Sequence, residues 1–123
     1  VRVVFPGYVT GQRKQAFFTL ADVYVFPSRH ESYGLTLLEA LQAGLPAVCL
    51  DHHGAREVMR PEFGEIVPAT VSALRDALAR VLADEEGRCR QSAAARAYAA
   101  GQRFADGASR LADLLATALS LVK

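Results

Sequence analysis

Tryptophan is absent from this chain of 123 residues, methionine occurs once and cysteine only twice. Cys49 sits in an apolar run and Cys89 among arginines. Two such thiols build neither a disulfide framework nor a zinc cluster, and they point to a reduced, cytosolic setting. No apolar run approaches the roughly 20 residues that a membrane span needs. Charge of one sign is also missing: 14 Lys and Arg face 13 Asp and Glu, for a net charge of +1. That balance gives no support to nucleic acid or a polybasic membrane surface as a partner. There is no initiator methionine and no signal-like n-region. The chain opens on "VRVVF", inside what reads as a strand, and so reads as part of something longer. What remains is one globular domain, 51% hydrophobic and 22% charged.

The elements follow from periodicity. "VRVVF" (1–5), "DVYVFPS" (22–28), "PAVCL" (46–50) and "GEIV" (64–67) read as four short strands bounded by Pro and Gly. Between them lie a helix over 11–21, with Ala16, Phe17, Leu20 and Ala21 as its apolar face, a helix from about Gly34 to Ala43, and a short one over 54–59. Gly44 and Pro46 stop the second of these. From residue 71 the chain is helical: 71–83, with Val71, Leu74, Leu78, Val81 and Leu82 as its stripe, then Asp84 to about Ala100, then about Phe104 to Leu121. The expected class is α/β, with a mostly parallel sheet of about four strands, flanking helices and a helical C-terminal tail. The chain divides into a βα core (about 1–68) and C-terminal helices (69–123). Tyr24, Phe26 and Phe63 are expected in the core. In such sheets ligands sit beyond the carboxyl ends of the strands, which directs attention to loops 6–11, 27–34 and 51–55.

The middle loop carries "SRHESYGLTLLEALQAGLP" (28–46), two glutamates eight positions apart around Gly34. The first helical N–H groups, about Gly34 to Leu37, lack intrahelical partners and lie at the positive end of the helix dipole, a ready anion site. Thr36 adds a hydroxyl. Glu39 lies a turn into the helix, and helical side chains lean back toward the N-terminus. An acceptor-only carboxylate beside a phosphate suits hydroxyl groups, a ribose diol for Glu39 and a sugar for Glu31. The competing reading is plain helix-terminus electrostatics and a solvated surface. His30, His52 and His53 read as polar loop residues rather than metal ligands, because no Cys or Asp cluster completes a site.

Taken whole, residues 21–59 resemble the signature of the group 1 (family 4) retaining glycosyltransferases of GT-B fold. The match is carried by Ala21-Asp22, Pro27-Ser28, Glu31, Gly34, Glu39-Ala40, Gly44, Pro46, Gly54 and Glu57-Val58. "PGYVT" (6–10) is similar to an earlier turn of that family. The resemblance implies a Rossmann-like fragment of the C-terminal, donor-binding domain. It implies that Glu31 is the catalytic-site residue at the transferred sugar and that Glu39 holds the ribose. It further implies that Ser32, Tyr33, Gly34, Leu35, Thr36 and Leu37 bind the diphosphate or sugar, with Tyr8 and Val9 bordering the nucleobase. Ser32, Tyr33 and Gln42 depart from the family's usual glycine, phenylalanine and alanine.

The implied reaction is retaining transfer from a nucleotide-sugar, with no cofactor; no Asp-x-Asp occurs, and no metal is expected. The acceptor (sugar, lipid or other) would be held mainly by an absent N-terminal domain, so the fragment alone is expected to be inactive. Its parent would be cytoplasmic or membrane-associated. Arg13, Lys14 and Arg29 do not occupy the positions of the family's basic pair. Residues 1–5 would either pair directly with the "VYVF" strand or leave an edge that recruits a second copy. The alternative function is a non-catalytic nucleotide-binding or interaction module on the same fold; an epimerase on that fold matches the motifs less well.

Overall fold

The computed structural model describes residues 2–102, 112, 113, 116 and 117. Its elements run α1 (Gly11–Leu20), β1 (Tyr24–Phe26), α2 (Leu35–Gln42), β2 (Ala47–Leu50), α3 (His53–Val58), a 3-10 turn (Pro61–Phe63), β3 (Gly64–Val67), α4 (Val71–Ala83) and α5 (Glu85–Ala100). The last expected helix, about 104–121, falls largely outside the described residues.

The sheet is parallel, in the order β1-β2-β3, with Val25 opposite Val48 and Cys49 opposite Ile66. Among the described residues it has three strands where about four were expected. Arg2–Phe5 forms no strand, and Val3, Val4 and Phe5 are 69, 61 and 91% exposed. β-Branched composition suits a pleated, half-buried surface, but a strand also needs a neighbouring ladder. Among the described residues nothing pairs with 2–5, and β1 pairs with β2 alone. Direct pairing of the described residues 2–5 with the "VYVF" strand therefore does not occur.

β2 is buried on both faces, which is why it reads as an uninterrupted apolar run. Alternation divides it between two cores. Ala47 and Cys49 face α2, α3 and α5, in a cluster with Phe26, Leu37, Leu41, Val58 and Phe63. Val48 and Leu50 face α4, where they meet Val67, Ala77 and Val81. Tyr24 is half-buried rather than a full core residue. Burial of Cys49 pushes its thiol up to about 12.

Two helices present faces other than the expected ones. On α4 the buried line is Ala77 and Val81, flanked by Ala73, Leu74 and Leu78; Val71 and Leu82 are 86 and 51% exposed. Val71 opens the first turn and projects beyond the sheet, whereas Leu82 points a full residue's rotation away from Val81. On α1 the expected face of Ala16, Phe17, Leu20 and Ala21 is exposed. The helix leans on the body through Phe18, whose ring meets Tyr24 edge-on at 5.9 Å, and through Lys14. With no strand at 2–5, α1 has no sheet beneath its apolar side. Helices α4 and α5 are capped locally: the Thr70 hydroxyl accepts from Ala73 N–H (3.2 Å) and the Asp84 carboxylate from Gly87 N–H (2.8 Å).

Candidate functional site

β1 ends at Phe26, and the chain loops through 27–34 before entering α2 at the carboxyl end of the sheet. The loop is held by short local bonds. Ser28 Oγ donates to the His30 carbonyl (3.0 Å), and Ser32 N–H donates to Glu31 Oε1 (3.0 Å). Gly34 then takes φ +75° and ψ +52°, left-handed geometry that costs a side-chain-bearing residue about 1–2 kcal/mol. That turn starts α2 abruptly. The Gly34 carbonyl accepts from Leu37 N–H (2.9 Å) and Leu38 N–H (3.2 Å).

The open cradle is consequently narrower than the sequence suggests. Leu37 has its amide engaged and its side chain fully buried in the core. The amides of Gly34, Leu35 and Thr36 have no partner among the described residues. Around them Ser32, Tyr33, Leu35 and Thr36 are exposed. The Thr36 hydroxyl accepts from Tyr24 OH at 3.0 Å, which leaves its own proton to donate. Burial raises the Tyr24 phenol above its usual 10.0, against the lowering effect of the bond to Thr36, so it stays a donor.

Glu39 meets an unexpected partner. Lys14 Nζ donates to its Oε1 at 2.7 Å and lies 2.6 Å from Oε2. Oε2 is shielded from solvent and, although paired by charge, has no aligned donor. Lys14 and Glu39 lie 25 residues apart on different helices, and no spacing rule connects them. The pair sits in a cleft of about 520 Å³ between α1 and α2, lined also by Gly11, Gln15 and Gln42. Glu31 belongs to a different depression of about 400 Å³, with Arg29, His30, Ser32, His52 and His53. The two acids thus flank the start of α2 from separate clefts rather than sharing one pocket. Tyr8 is 93% exposed and Val9 half-buried; neither lines either cleft.

His52, read from the sequence as a polar loop residue, is placed differently by the structure. It is only 7% exposed, and its ring meets Phe26 edge-on at 5.6 Å. Its Nδ1 caps α3 by accepting from Ala55 N–H at 3.2 Å. In a neutral ring that bond leaves the N–H at Nε2, which is buried without a partner among the described residues. An orphaned buried donor costs about 1–3 kcal/mol. Beside it, a Cβ on Gly54 would come 2.5 Å from the Glu31 carbonyl oxygen. Only glycine lets α3 support the backbone that carries Glu31, which gives a physical reason for the glycine noted in the sequence. Among the described residues no group of three His, Cys, Asp or Glu is arranged to hold a metal ion.

Residues 1–98 match the family described as Glycosyl transferases group 1. The chain belongs to that family. This group 1 glycosyltransferase chain is 43% identical over 93 residues to a phosphatidyl-myo-inositol mannosyltransferase of Mycobacterium leprae, covering 73% of this chain and 25% of that protein. It is 33% identical over 123 residues to a GDP-mannose-dependent alpha-(1-6)-phosphatidylinositol monomannoside mannosyltransferase of Mycobacterium tuberculosis, covering 92% and 32% respectively. Among solved structures it superposes on sucrose-phosphate synthase from Thermosynechococcus elongatus with a TM-score of 0.83 and 26% identity, over 99% of this chain and 31% of that one. The fold is therefore the Rossmann-like, GT-B type. The chain spans about a quarter to a third of the length of these relatives.

Proposed function

We propose that this domain binds a nucleotide-diphosphate sugar and presents it for transfer with retention of anomeric configuration. The observation that carries the reading is the entry to α2. Three amides unpartnered among the described residues, Gly34 to Thr36, lie at the carboxyl end of a parallel sheet, beginning at a left-handed glycine. The helix terminus carries about +0.5 of a charge and needs no reorganisation to meet a diphosphate. As the bond from sugar to phosphate breaks, negative charge collects on the leaving diphosphate. Fixed N–H donors and the Thr36 hydroxyl offset it there. A metal is not required for that role.

Glu39 takes the ribose diol, and Lys14 orients its carboxylate while balancing its charge beside the diphosphate. Glu31 accepts from a hydroxyl of the transferred sugar. Tyr8 and Val9, on the preceding loop, remain the candidates for bordering the base. GDP-mannose is the donor to test first, because a relative that aligns over 92% of this chain carries it in its name. The acceptor is bound mainly by a part of the protein outside this domain, and transfer itself belongs to the longer enzyme.

Calorimetric titration with GDP, UDP, ADP and GDP-mannose, with and without Mg²⁺, tests the reading. GDP-mannose is expected to bind equally well without the metal, and Glu39→Ala to weaken it about tenfold or more. Failure of every nucleotide to bind the folded chain would overturn the proposal in favour of an interaction module.

A further inference from the structure

The depression beside Glu31 holds an unused donor. His52 is buried, capped onto α3 through Nδ1, and its Nε2 has no partner among the described residues. The same depression is lined by Glu31, which offers only acceptors, and by Ser32. Its volume of about 400 Å³ lies in the range of small-molecule clefts, about 300–1,000 Å³. A buried N–H donor and a carboxylate acceptor on residues that line one depression are complementary to a group that both donates and accepts, which is a hydroxyl. Arg29, His30 and His53 at the rim are exposed and add nothing that selects against a neutral polyol.

We infer that His52 is a sugar-contacting residue: its Nε2–H donates to a hydroxyl oxygen of the transferred sugar, and that hydroxyl's own O–H donates a hydrogen bond to the Glu31 carboxylate. The inference rests on the donor-binding reading above and deepens it, because it assigns the choice among sugars to a residue on the loop after β2. Two pieces of geometry favour it. The cap on Nδ1 fixes both the tautomer and the ring plane, so Nε2–H is preorganised rather than recruited. The close approach of Gly54 to the Glu31 backbone holds the two loops in one register, so that the donor and the acceptor move together.

Two substitutions separate this role from a structural one. His52→Asn keeps an oxygen where Nδ1 caps α3 and removes the Nε2 donor. His52→Gln keeps an N–H near the Nε2 position and loses the cap. Each variant is titrated with GDP and GDP-mannose by calorimetry, and its melting temperature is recorded. His52→Asn is expected to melt like the parent and bind GDP unchanged, while losing about five- to tenfold in affinity for GDP-mannose. His52→Gln is expected to melt lower yet keep most of the preference for GDP-mannose over GDP. An Asn variant with parental GDP-mannose affinity overturns the inference and leaves the donor-binding reading intact. Absence of binding to both nucleotides overturns the two together.

Discussion

At the residue scale the decisive facts concern side chains whose partners lie far away in sequence. Glu39 was readable as a helix-borne acid, but its ion pair with Lys14 was not, because the pair bridges α1 and α2. His52 reads as a loop histidine until burial, the Nδ1 cap and the edge contact with Phe26 are seen together. Cys49 is the same kind of case: an apolar run announced its burial, while the thiol's reluctance to ionise follows from the packing around it. Cys89, by contrast, is exposed on α5. A thiol-specific chromogenic reagent at neutral pH is expected to titrate one cysteine in the native chain, Cys89, and two after denaturation. Rapid reaction of both in the native state would contradict the packing of β2.

At the element scale α2 shows what a single backbone angle does. Its length and its stop at Gly44 and Pro46 follow from local signals, and so does the amphipathic burial of Leu37 and Leu41. The start depends on Gly34 at φ +75°. A Cβ there would find Phe26 Cε1 at 3.4 Å and Leu37 Cβ at 3.6 Å, ordinary contacts, so the cost of a substitution is conformational rather than steric. Gly34→Ala is expected to lose about 1–2 kcal/mol, a fall in melting temperature of about 4–15 °C. Gly34→Asn, with a side chain that tolerates left-handed geometry, should lose less. Equal losses in the two variants would indicate that space, and not φ, governs the position. The shifted stripe on α4 has a simpler origin. Periodicity identifies a face to within a residue or so, and where the helix overhangs the sheet decides which end of that face is left in water.

At the scale of the whole molecule, the body consists of β1–β3 with α2–α5, and α1 is an attachment. No residue of α1 is buried, and its ties to the body include the Phe18–Tyr24 ring contact and the Lys14–Glu39 pair. Both partners of that pair are about a third or more exposed, so it contributes at most about 0.5–1 kcal/mol, less at high salt. Hydrogen exchange is therefore expected to show α1 amides exchanging well before those of β2 and α2. Lys14→Ala should speed α1 about two- to fivefold and leave β2 unchanged. Protection of α1 equal to that of β2 would show that it folds as part of the body. A bound nucleotide that engages both Glu39 and the entry to α2 should slow exchange in α1 and α2 together.

The sequence by itself determined the parallel α/β class, the course of β2, β3, α4 and α5, the glycine turn into α2, and membership of the glycosyltransferase group through the run from Ala21 to Val58. These depend on local propensity, capping and alternation, which act within a few residues of chain. Only the tertiary structure decided that Arg2–Phe5 is not a strand, because a ladder needs a neighbour that no local pattern supplies. It also decided that Lys14 balances Glu39, that Glu31 and Glu39 open into separate clefts, and that the buried His52 lines the same depression as Glu31. Each of these is a contact between segments distant in sequence, brought together by burial of the two cores on either face of β2.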